Sequence, residues 1–149
     1  MRKFAWFFLS VIAIGTPACS SSTTTGGTPT PSVSCLSQVG ATSALVFPAQ
    51  NATNVPDNLG QVIIGTTTTL PSSWNVQLFT TAGFLVASGN TLGPAPSPLP
   101  TPNTIPPFPN PNYQQSSLPL LPAATTLQVG VNNLNSSCIP TIVGVFTTQ

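Results

Sequence analysis

From residue 41 onward, short apolar runs alternate with turn signals, and none has helical spacing. Trp74, Val76 and Leu78 alternate with Asn75, Gln77 and Phe79; Leu127, Val129 and Val131 alternate with Thr126, Gln128 and Gly130. A period of two sends successive side chains to opposite faces of a strand, so these runs read as half-buried strands. β-branched and aromatic residues fill them, as a pleated, packed surface favours. Strands are predicted at 42–47, 61–67, 74–80, 83–88, 113–118, 125–131 and 141–147. Turn formers separate them at Pro48 to Asp57, Pro71-Ser72-Ser73, Ala82-Gly83 and Asn132 to Ser137. About seven short strands with such punctuation predict an all-β, antiparallel sandwich.

One segment breaks the rhythm. Residues 93–111 contain nine of the chain's 18 prolines. Proline cannot donate to a ladder and favours polyproline II, so this stretch is expected to be a long surface loop inserted between two strands. It reads either as a spacer or as a proline-rich recognition segment.

The texture changes again before residue 35. Arg2 and Lys3 precede an apolar stretch that ends at Ala18. About 15 apolar residues are too few for a spanning helix, which needs about 20, and match the core of a secretory signal. Thr16, Pro17 and Ala18 precede Cys19, and Ser20-Ser21-Ser22 with a Thr run follow it. The junction resembles the lipobox of bacterial lipoproteins, with Thr16 where Leu is usual. That resemblance implies a signal peptide over 1–18, an acylated Cys19 as the first mature residue, and membrane attachment in a bacterial cell envelope. Ordinary cleavage after Ala18, giving a secreted protein, is the other reading. Residues 19–34 then form a lipid-anchored tether, in which Ser, Thr and Gly give flexibility and Thr-Pro pairs stiffen the far end. Such a tether would hold the domain away from the bilayer.

The chain has three cysteines: Cys19, Cys35 and Cys138. An odd count in an exported protein leaves one unexplained, and lipidation of Cys19 removes it from the count. An oxidising compartment then favours a Cys35–Cys138 disulfide. Two free buried thiols are the alternative. A metal site would lack ligands, since the chain has no His.

Charge narrows the function classes. Arg2, Lys3 and Asp57 are the only charged side chains, and both cations lie in the signal segment. Nothing in the mature chain could neutralise phosphates, which argues against nucleic-acid binding. Catalysis needs a proton carrier, an activated nucleophile or a metal. After residue 18 there is no His, Lys, Arg or Glu; Asp57 stands alone in a turn, and the many hydroxyls have no base. A non-enzymatic protein without cofactors is expected. The aromatics Trp74, Phe79, Phe84, Phe108, Tyr113 and Phe146 could stack on sugars, but all except Phe108 fall on predicted strands and read first as core.

Residues 47–67 resemble the start of bacterial Ig-like (Big-type) domains, in which a Pro and a short Asn-rich turn lead through Asn-Val-Pro into a strand. Pro48, Ala52, Asn54, Val55 and Pro56 carry that likeness. Leu121, Pro122 and Thr126 match the family's later step into its penultimate strand, with Leu127 where Tyr is usual. The resemblance implies an Ig-like sandwich over 35–149. It also sets Cys35, ahead of the first strand, at the same end as Cys138, between the last two. It leads to a structural or interaction module with an unknown protein or polysaccharide partner. A carbohydrate- or polymer-binding module built on exposed aromatics is the rival reading.

Overall fold

The computed structural model describes residues 33–149. The expected signal peptide, Cys19 and tether residues 20–32 lie outside them. Eight strands follow one helical turn: α1 (Cys35–Gln38), β1 (Ser43–Phe47), β2 (Gln61–Thr66), β3 (Trp74–Thr80), β4 (Leu85–Thr91), β5 (Gly93–Pro94), β6 (Asn112–Ser117), β7 (Thr126–Asn133) and β8 (Thr141–Thr147). They form two four-stranded sheets, ordered β1-β2-β6-β5 and β4-β3-β7-β8. Every pairing within them is antiparallel. The architecture is the expected all-β sandwich.

The alternating positions make the core. Leu45, Val62 and Ile64 from one sheet meet Trp74, Val76, Leu78, Leu127, Val129, Val131 and Phe146 from the other. Each of these is at most 1 % exposed. Polar groups caught inside are paired. The Gln114 side chain clamps the backbone of Leu70: it accepts from the Leu70 N–H and donates to the Leu70 C=O, both at 2.8 Å. Gln114→Leu strands both backbone groups, each costing about 1–3 kcal/mol when buried without a partner. A loss of about 2–6 kcal/mol in urea unfolding is expected on that arithmetic; a loss below about 1 kcal/mol would mean water takes over the clamp.

Two boundaries differ from those the composition suggests. The fold takes in Val33 and Ser34, which composition assigns to the tether. Ser34 forms a parallel bridge with Ile139 and caps α1, its hydroxyl accepting from the Ser37 N–H. The proline-rich segment also begins as strand: Gly93 and Pro94 pair with Gln115 and Gln114. Pro is tolerated there because β5 is an edge strand, with no outer neighbour needing its missing N–H.

The rest of that segment is the expected surface loop between two strands, and one side of it packs on the sheet. β2 is buried along nearly its whole length, not at alternate positions. Ile63 and Val46 are fully buried yet stand apart from the inter-sheet cluster. The proline run covers them on the outer face of the sheet. Pro106 is buried, and a Cβ placed on Gly65 would come within 2.6 Å of its ring. The Thr104 N–H donates to the Val46 C=O at 2.9 Å, and the Thr104 hydroxyl accepts from the Gln50 N–H at 2.7 Å. Residues 95–111 are thus a cover that makes a second, smaller core. The sequence hint was Val62-Ile63-Ile64, a continuous apolar run of the kind a strand buried on both faces carries.

Open sheets must protect their edges, and proteins often use Lys for this. With no cation among the described residues, this sandwich uses other means. β4 carries two register shifts, β5 is two residues long and contains Pro94, and the cover caps β1 at Val46. Residues 51–55 line β8, where the Asn51 and Val55 N–H groups donate to the C=O groups of Val145 and Thr147.

Candidate functional site

Cys35 and Cys138 are joined by a disulfide, with Cα atoms 4.9 Å apart. Cys35 is fully buried and belongs to the main core, and Cys138 packs against it. Around the bridge the backbone closes a small knot: the Cys35 N–H donates to the Ile139 C=O at 2.9 Å, and the Ile139 N–H donates to the Val33 C=O at 3.1 Å. The chain therefore enters the domain beside the β7–β8 connection. Both cysteines are consumed by one another, so neither is left for Cys19.

β8 runs away from this knot, and its far end meets the turn over residues 48–59. There the Thr147 N–H donates to the Ala52 C=O at 2.8 Å, and the Gln149 N–H donates to the Val55 C=O at 2.9 Å. Asn51 and Asn54 adopt positive φ, of 62° and 58°. Asn tolerates that region better than most residues because its short amide bonds locally. The turn and the proline cover together enclose a cleft of about 410 Å³. Its apolar wall includes Phe47, Pro48, Val55, Leu59 and Pro102; Thr53, Asn54, Asn58 and Thr101 supply neutral polar side chains. No titratable side chain lines it. The cleft can hold a neutral group by apolar contact and amide hydrogen bonds; it offers nothing to move a proton. The sequence hides it, because its walls come from segments about 50 residues apart that only the fold brings together.

The aromatics separate. Trp74 and Phe146 are core, at 1 % exposure each. Phe79 and Tyr113 are half-buried. Phe79 lies over Gly130, where a Cβ would stand 2.8 Å from its ring. Phe108 is half-buried within the cover. Phe84, expected in the core, is instead 72 % exposed. It sits at the tip of the β3–β4 hairpin, before an edge strand that starts at Leu85 rather than residue 83. Among the described residues Phe84 is the only aromatic counted as exposed. No group of three His, Cys, Asp or Glu close enough to hold a metal occurs among the described residues. No helix among them is long and apolar enough to cross a membrane.

Charge leaves a measurable signature. Without a cation in the described domain, no side-chain ion pair exists for salt to screen. Asp57 is the one side-chain carboxylate, and no His is present to charge in acid. The melting temperature of the disulfide-intact protein is expected to be nearly constant between low and moderate NaCl, and nearly flat from about pH 3 to pH 8. Loss of several kcal/mol on acidification, read by calorimetry, would show that Asp57 is strongly coupled to folding.

Comparison with protein-family models, curated proteins and solved structures found no match.

Proposed function

We propose that this chain is an exported bacterial envelope lipoprotein, anchored through acylated Cys19, that displays a non-catalytic Ig-like module for structural or binding work. The observation that carries the reading is the Cys35–Cys138 bridge. It satisfies both domain cysteines, leaving Cys19 beside Ala18 and the Ser/Thr run for a separate chemistry. The strand orders support the Ig-like part: β1-β2-β6-β5 facing β4-β3-β7-β8 corresponds to the ABED and C′CFG sheets of an Ig sandwich. The bridge itself ties the chain entry to the last inter-strand connection, unlike the antibody bridge that joins the sheets through the core.

In this reading the disulfide knot marks the membrane-proximal end, and the 48–59 cleft lies at the opposite end, available to a partner. A sugar-stacking platform would need two or more exposed aromatics on one sheet face. The solitary exposure of Phe84 favours the structural or binding module over it.

Fractionation of cells making the wild type and Cys19→Ser tests the anchor. Wild type is expected in the membrane fraction, with a mature N-terminus at Cys19 carrying a diacylglyceryl mass and sensitivity to globomycin. Cys19→Ser is expected in the soluble fraction, or uncleaved. An unmodified Cys19 on a released wild-type chain would replace the reading with a secreted protein.

A further inference from the structure

The end of the sandwich where the chain enters is unusually apolar for a surface. Among the described residues nine large hydrophobic side chains are exposed, and five of them surround the disulfide knot: Val33, Val39, Leu134, Ile139 and Ile142. Each is about half exposed, from 48 % to 53 %. They form one neighbourhood. Val33 and Ile139 are backbone hydrogen-bond partners. Val39 follows α1, and the Ser136 hydroxyl donates to the Gln38 amide oxygen at 3.0 Å, tying α1 to the turn that carries Leu134. Ile142, the second residue of β8, lies beside Pro140 over Gly130, on the sheet face that adjoins the knot. The residues between them are Ser, Asn, Gln, Pro, Thr and Gly. Scattered exposed aliphatics are ordinary, but five gathered around one end of a domain point to an interaction surface.

The path of the chain says what covers this patch. Residue 33, where the chain enters, is itself part of it. About 14 residues separate Val33 from Cys19, a length of chain that can reach at most about 50 Å. An acyl anchor at Cys19 would keep this end, where the chain enters, within reach of the bilayer, and tethering would raise its effective concentration there. Charge does not oppose the contact. The only charged side chain among the described residues, Asp57, lies in the turn at the opposite end. An anionic membrane surface would repel acidic groups at the contact, and this end has none.

We propose that Val33, Val39, Leu134, Ile139 and Ile142 form a membrane-docking face that seats the domain directly on the lipid surface, replacing the stand-off that a tether alone suggests. Docking fixes the long axis of the sandwich across the interface and turns the 48–59 cleft outward. The inference rests on the anchored reading of Cys19. A patch of aliphatics without cations would bind poorly by itself; the two acyl chains of the diacylglyceryl group supply the attachment, and the patch then orients the domain on the lipid.

The test uses purified mature lipoprotein in phosphatidylcholine vesicles, with and without brominated acyl chains. Leu134→Trp places a fluorophore in the patch, Leu120→Trp places one near the far end, and the unsubstituted protein supplies the blank for Trp74. Leu134→Trp emission is expected to fall severalfold in brominated vesicles while Leu120→Trp emission stays constant. Adding Val39→Asn and Ile142→Asn is expected to remove the quenching without releasing the protein from the vesicles. Hydrogen exchange on the unsubstituted chain gives an independent readout: residues 134–139 are expected to exchange more slowly on vesicles than in the Cys19→Ser protein in solution. A chain that pellets with vesicles but shows neither quenching nor protection overturns the docking face alone. A mature chain that never pellets overturns the anchor and the docking with it. Slower exchange over 134–139 without quenching, and only at high protein density, would assign the patch to a second copy of the chain and overturn the lipid contact.

Discussion

Replacing Cys35 and Cys138 together by Ala is expected to lower the unfolding free energy by about 2–5 kcal/mol, near the upper range for a disulfide. The bridge closes a sequence separation of 103 residues. On the chain-entropy account a loop of about 100 residues removes roughly 4.7 kcal/mol worth of unfolded-state freedom at room temperature. The native side adds to this, because Cys35 is fully buried in the main cluster and the bridge secures α1, Leu36 and the Val33–Ile139 contacts around it. Domains of this size are stable by only about 5–15 kcal/mol, so the loss is a large share of the total. Urea titration of the double variant against the oxidised wild type measures it. A lower midpoint with a steeper slope is the expected form, because the unbridged unfolded chain is less compact and exposes more surface. A loss under about 1 kcal/mol would mean that the chain-entropy account does not hold for this domain.

The second large effect belongs to the proline cover. β5 and β6 are antiparallel neighbours in register, Gly93 opposite Gln115 and Pro94 opposite Gln114, and the Ala95 N–H donates to the Tyr113 C=O. A two-residue turn would suffice to join such strands. Replacing residues 96–112 by Asn-Gly joins the facing residues Ala95 and Tyr113 and leaves a sound hairpin, yet it uncovers Val46 and Ile63. Burying a Val or Ile side chain contributes about 1.5–3 kcal/mol, so the shortened protein is expected to lose about 3–6 kcal/mol. It is also expected to bind a hydrophobic dye through the bared sheet face and to lose the cap on the β1 edge, which raises the risk of edge-to-edge association. Gly65→Val is the milder companion: its side chain would collide with Pro106 and lift part of the cover, at a cost of about 1–3 kcal/mol. If the hairpin version melts like the wild type, the proline run is a spacer after all.

The two results bear on different kinds of information in the chain. Strand positions were legible because they are local. Trp74-x-Val76-x-Leu78 and Leu127-x-Val129-x-Val131 carry their own period, and a pleated backbone converts that period directly into an inner and an outer face. The observed strands fall within a few residues of the predicted ones, and those six side chains lie inside. The disulfide was legible from counting, once Cys19 was given another role.

The exceptions share a cause. Phe84-Leu85-Val86 reads like any other apolar run, but it lies at an edge strand's start with one neighbour, so nothing covers Phe84. The run from Pro96 to Pro111 carries no strand or helix signal, and local rules assign it to the surface. It is buried in part because the far side of β2 offers Ile63 and Gly65, and that offer is made about 40 residues earlier in the chain, where only the triple Val62-Ile63-Ile64 hints at it. The cleft and the apolar end are of the same kind, each assembled from turns distant in sequence.

By itself, then, the sequence determined the all-β class, the inward faces of the principal strands and the absence of cations from the domain, because neighbouring residues and composition decide those. Tertiary structure alone decided which apolar residues stay exposed, what the prolines cover and that Val33, Val39, Leu134, Ile139 and Ile142 share one end. Burial depends on what arrives from elsewhere in the chain, and alternation records a side chain's direction but not its cover.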